Sequence, residues 1–70
     1  MKRTRVESSA IRSKGYDPKA HVLEIAFRGG GVYDYAGVSR QRVQALEQAN
    51  SKGRYFNRAI KGNYSYRRIK

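Results

Sequence analysis

The sequence has no cysteine, no tryptophan, one proline and one histidine among its seventy residues. The lack of thiols excludes a disulfide staple, and one histidine without cysteine cannot assemble a Cys/His zinc site. Acids are scarce as well. They are Glu7, Asp17, Glu24, Asp34 and Glu47, so everything after residue 47 is free of carboxylates. No apolar run follows the basic start Met1 to Arg5 that could serve as a signal peptide or span a bilayer, so a cytoplasmic location and no membrane partner are expected. Repeats, low-complexity tracts and linkers are also missing, which leaves one compact unit: a basic N-terminal arm, residues 1–7, and a single domain, residues 8–70.

A chain this short barely offsets the entropy of ordering it, roughly 1.5 kcal/mol per residue, so each large apolar side chain is first a candidate for the core. Against five acids stand sixteen Lys and Arg, a net charge of +11, with arginine outnumbering lysine ten to six. Such an excess raises self-repulsion. An anionic partner relieves it, and guanidinium suits bidentate contact with phosphate.

The pattern predicts an α+β domain: a three- to four-stranded antiparallel sheet packed on two short helices, in the order β-β-β-α-α-β. Residues 8–16, opening with two serines, read as a first strand, and Tyr16-Asp17-Pro18-Lys19 as a turn. From His21 to Arg28 the residues alternate, with Leu23, Ile25 and Phe27 on one face and Glu24 and Arg28 on the other. Gly29-Gly30-Gly31 supplies positive φ, and Val32 to Ala36 returns as the second arm of a hairpin. At Ser39 the period changes to 3.6. Ser39 caps a helix running to about residue 50 with Val43, Leu46, Ala49 and Asn50 along one side. Ser51 caps a second helix to Ile60, with Tyr55, Phe56, Ala59 and Ile60 inward, stopping at Gly62-Asn63. Tyr64 to Ile69 then reads as the last strand.

Two Tyr-x-Tyr pairs, Tyr33/Tyr35 and Tyr64/Tyr66, each place two phenols on one face of a strand. Register decides the role of the first pair. If Gly29 to Gly31 forms the loop, Phe27 faces Tyr33 and Ile25 faces Tyr35, and the tyrosines join the core face. A two-residue loop would instead set them opposite Ala26 and Glu24, toward water. The first register gathers the large apolar groups and is preferred. Tyr64 and Tyr66, next to Arg67 and Arg68, suit base stacking beside phosphate contacts. Arg54, Arg58 and Lys61, at i, i+4 and i+7 of the second helix, form a basic stripe with no acid to pair with.

The catalytic search is nearly empty. His21 reads as a surface histidine, and the glycine run is followed by a strand with no Lys-Ser/Thr, so it is a turn and no nucleotide loop. Arg54, Tyr55, Arg58 and Tyr64 could in principle cleave RNA by stabilising charge and moving protons. No enzyme, metal or cofactor is expected.

Taken in order, Ser8-Ser9-x-Ile11, Gly15-Tyr16-Asp17, Leu23-x-Ile25-x-Phe27, Tyr33-x-Tyr35, Ser51-x-Gly53-x-Tyr55-Phe56-Asn57-x-x-Ile60 and Tyr64-x-Tyr66-x-x-Ile69 resemble the KTSC domain over residues 6–69. Where that family often has a proline after the valine, this chain has Ser39, the helix cap. The resemblance implies a domain found at the C-terminus of some lysyl-tRNA synthetases and as stand-alone bacterial and phage proteins, with RNA binding suggested and no catalytic residues. Three functional readings follow. The leading one is a non-enzymatic nucleic-acid-binding module, RNA before DNA, using Arg54, Arg58, Lys61, Arg67 and Arg68 on phosphates with Tyr64 or Tyr66 on a base. Its rival is a protein-binding modulator docking on an acidic surface of polymerase or ribosomal machinery. The third is a toxin-like ribonuclease.

Overall fold

The computed structural model describes residues 3–6 and 8–70. It is an α+β fold with one five-stranded antiparallel sheet in sequence order: β1 (Thr4–Arg5), β2 (Ile11–Asp17), β3 (Val22–Phe27), β4 (Val32–Ala36) and β5 (Tyr66–Arg68). Two helices, α1 (Arg40–Gln48) and α2 (Lys52–Tyr55), separate β4 from β5, and α2 runs on as a π-helical segment, Phe56–Ile60. The extra strand comes from the expected arm, where Thr4 and Arg5 pair with Lys14 and Ser13 and Val6 is buried. Met1, Lys2 and Glu7 of that arm lie outside the described residues. Two residues carry no periodicity, so nothing in the pattern announces β1.

Local chemistry explains the boundaries. The Ser8 hydroxyl accepts from the backbone N–H groups of Ala10 and Ile11, holding the chain in a turn, and β2 starts only at Ile11. Asp17 Oδ1 accepts from Lys19 N at 3.0 Å and Ala20 N at 3.2 Å, the predicted turn. His21 closes it, exposed and at a φ of 56°. Both serine caps form: Ser39 accepts from Arg42 N and Ser51 from Arg54 N. Gly62 has a φ of 82°, and Asn63 Nδ2 donates to Ala59 O at 3.0 Å, so the helix end spills into a turn through Tyr64. The last strand therefore begins at Tyr66. Tyr64 is not on it.

In the β3–β4 hairpin Ile25 faces Tyr33 and Leu23 faces Tyr35, two residues away from the preferred register. The loop still has three residues, but they are Arg28-Gly29-Gly30, closed by Phe27 N to Gly31 O at 3.1 Å. An even shift keeps every side chain on its face. Leu23, Ile25 and Tyr35 accordingly join Ile11, Val38, Val43, Leu46, Phe56 and Ile60 in the core between sheet and helices.

The opposite face carries Glu24, Ala26, Val32 and Asp34, directly paired as Glu24 with Asp34 and Ala26 with Val32. Glu24 was expected to face water, yet it is 9% exposed, under Arg3, whose Nε lies 3.5 Å from its Oε2. Burial raises the Glu24 pKa above its ordinary value. The neighbouring Asp34 adds to the rise and Arg3 opposes it.

Candidate functional site

At one end of the core face the sheet and the π-helical segment do not close fully. They leave a cleft of about 430 Å³ whose lining includes Phe27, Tyr33, Tyr35, Phe56, Lys61 and Tyr66. That is a volume suited to small organic groups. Tyr66 is 65% exposed, and its ring centroid lies 5.8 Å from those of both Tyr33 and Tyr35. Phe56 meets Tyr35 edge-on at 5.2 Å and Phe27 at 5.3 Å, so the floor is a continuous aromatic layer. Burial and the neighbouring phenols Tyr33 and Tyr66 push the Tyr35 hydroxyl up to about 12, which keeps it a neutral donor.

Cations edge this floor. The Arg68 guanidinium lies 5.8 Å from the Tyr33 ring centroid, tied by Nε to Lys70 O at 2.8 Å. Gly31 is required beside it: at a φ of 89°, an added Cβ would stand 2.9 Å from Tyr33 Cε1 and 3.6 Å from Arg68 Cζ. Lys61 is delivered by the π-helical turn, whose wider hydrogen bond runs from Lys61 N to Phe56 O at 2.8 Å. That turn breaks the expected stripe. Arg54 and Arg58 stay together along a groove between α1 and α2, while Lys61 joins Phe56 and Asn57 at the cleft.

The remaining predicted residues lie elsewhere. Tyr64 packs half-buried against the core, and its hydroxyl accepts from Arg42 Nε at 3.3 Å. Arg42 Nη1 donates to the Tyr55 hydroxyl at 3.1 Å, so the two phenols flank one guanidinium, and these hydrogen bonds raise its pKa. Arg58 sits over the Tyr55 ring at 5.8 Å. Arg67 pairs with Asp34 on the other face of the sheet. Of the seven candidates, the structure brings Lys61, Tyr66 and Arg68 to one site, Arg54 and Arg58 to a second, and leaves Tyr64 and Arg67 outside both. Tyr33, assigned to the core on sequence, is half-buried and serves both.

Comparison with known proteins fits this geometry. The family model for the KTSC domain matches residues 7–64. The chain belongs to the KTSC domain family. The crystal structure of a KTSC domain protein from Yersinia pestis superimposes with a TM-score of 0.96 at 46% identity, covering 99% of this chain and 97% of that one. A Stutzerimonas stutzeri (strain A1501) protein is 47% identical over 70 residues, 99% of each chain. The lysine–tRNA ligase of Nostoc sp. PCC 7120 shares 35% identity over 63 residues, 90% of this chain and 11% of the ligase. This KTSC chain thus corresponds to about a tenth of that enzyme. Among the described residues no helix is long and apolar enough to cross a membrane, and no group of three or more His, Asp or Glu could hold a metal ion.

Proposed function

We propose that this KTSC domain is a cytoplasmic, non-enzymatic module that binds single-stranded nucleic acid, RNA before DNA, in the aromatic cleft. One observation carries the reading: Tyr66 is largely exposed on the Tyr33/Tyr35 layer, with Lys61 and Arg68 at its margin. An unpaired base stacks on the exposed ring, and the cations meet the flanking phosphates. Arg54 and Arg58, in their separate groove between α1 and α2, offer further phosphate contacts away from the cleft. The disposition of the acids supports this. Glu47 is bound by Lys14, Glu24 by Arg3, and Asp17 by its own turn, so much of the negative charge is engaged internally.

Fluorescence anisotropy with a labelled single-stranded RNA at several salt concentrations tests it. A log–log slope of roughly −3 to −4 is expected for contact with about four to six phosphates of a single strand, and Tyr66→Ala should weaken binding about tenfold or more. A slope near zero overturns the reading. The rival, docking on an acidic protein, draws support from the exposed edge strand β5, where Tyr66 is solvent-facing and Ile69, just past its end, is exposed as well. A protein partner retained from nuclease-treated lysate and lost with Tyr66→Ala would favour it.

A further inference from the structure

A second cationic feature lies on the far side of the sheet from the cleft. Arg3, Arg5, Arg12, Ser13 and Arg28 line an open hollow of about 410 Å³. Four guanidiniums converge there from three separate pieces of chain, and among the described residues no carboxylate lines the hollow.

Backbone features put them there. Arg5 pairs with Ser13, and Ser13 with Ala26, which fixes these residues on the outer face. Between Ile11 and Ser13 the β2–β3 register slips by one residue at a β-bulge. Regular alternation would send Arg12 to the face opposite Ile11 and bring Ser13 back beside Ile11. The bulge instead leaves Ile11 in the core, at 1% exposure, and turns Arg12 and Ser13 outward together. Arg28 leaves the hairpin loop on the same side and is pinned, its Nε donating to Ser8 O and its Nη2 to Val6 O at 3.4 Å. Arg3 is steadied through Nε by Glu24, while its Nη1 is buried and meets no acceptor among the described residues. Two guanidiniums are thus fixed before any ligand arrives, and Arg5 and Arg12 are exposed beside them. Like charges gathered around one hollow repel, and a multivalent anion removes that cost.

We propose that this hollow is a second anion site, binding phosphate oxygens through Arg3, Arg5, Arg12 and Arg28, independent of the aromatic cleft. Arg28 keeps its Nη1 hydrogens and Arg3 its Nη2 hydrogens for phosphate oxygens, and the exposed Arg5 and Arg12 can each offer a bidentate fork. A phosphodiester backbone and a free polyphosphate share this chemistry.

The test is a titration of the full chain with inorganic tripolyphosphate, followed through the arginine Nε–Hε signals in NMR. Signals of Arg5, Arg12 and Arg28 should move most. The double variant R5A/R12A, which removes two exposed side chains and leaves the pinned pair, should bind about tenfold or more weaker. Tyr66→Ala should leave tripolyphosphate affinity within about twofold, since this ligand carries no base to stack. Unchanged binding by R5A/R12A, or shifts gathered on Arg54 and Arg58, would overturn the site. Failure of the cleft to bind RNA would leave this result standing. Competition with a blunt RNA duplex, whose paired bases cannot enter the cleft, identifies the source. Displacement of tripolyphosphate assigns the hollow to nucleic-acid backbone, and none assigns it to free polyphosphate; either outcome supports the site.

Discussion

The two faces of the sheet are cut from the same strands in alternation, yet they carry opposite chemistry. On the inner face Leu23, Ile25 and Tyr35 supply bulk, and the surplus aromatic surface opens into the cleft beside Lys61 and Arg68. The outer face has small side chains, Ala26 and Val32, around a carboxyl pair, with arginines at its β1–β2 end. Stability is concentrated on one side. In so small a domain the same aromatic layer both builds the core and furnishes the candidate site, whereas the arginine hollow draws on residues the core does not use.

The strongest way to break this contrast is Ile25→Ala, which deletes a side chain of 0% exposure and should cost about 2–5 kcal/mol, much of the stability of a chain this size. Val22→Ala on the outer face should cost under about 1 kcal/mol in the same urea denaturation series. A comparable loss for both would dissolve the distinction. Next in size is Gly31→Ala, expected to cost about 1–3 kcal/mol, because strained backbone adds to the collision with Tyr33. Gly29→Ala, with an ordinary φ and open space around the added Cβ, should melt higher than Gly31→Ala. Tyr66→Ala should change stability by no more than about 0.5 kcal/mol while impairing RNA binding, which separates site from core.

The smallest effect is one of pH. The Glu24 pKa is raised in the folded state, so the folded chain holds this proton more tightly than the unfolded one. Its contribution therefore favours folding at low pH and declines as pH rises from the ordinary 4.5 through the raised value. Relative to the parent chain, Glu24→Gln should gain stability as pH rises across that window, measured by denaturation at fixed ionic strength. A difference that is flat in pH would show the carboxyl to be unperturbed.

Much of the fold was legible because it rests on local signals. The alternation of residues 22–27, the Asp17 turn, both serine caps and the Gly62-Asn63 stop all reappear where the pattern put them. All of them lie within residues 7–64, the span that the family model matches. Departures arise where the backbone leaves regular periods. Three consecutive glycines offer several places to turn, so the face of Tyr33 and Tyr35 could be read while their partners could not. A π-helical turn is silent in sequence, and it moved Lys61 from the stripe to the cleft. Tyr64 looked like a stacking residue because its bond to Arg42 spans 22 positions. Glu24 looked solvent-facing because Arg3, which covers it, lies in a segment without pattern.

The bulge at Arg12 is a one-residue insertion that the ladder itself does not need. Any side chain there projects from the outer face, so substitution spares the core and changes only what the hollow can bind. Deleting the residue would merge the two halves of β2 into one regular ladder, with Ile11 still opposite Phe27 in the core and Ser13 still opposite Ala26 on the outer face. Lineages descending from this chain should therefore keep the inserted residue basic where the hollow is in use, and where it is not they should be able to lose that one residue and fold the same way.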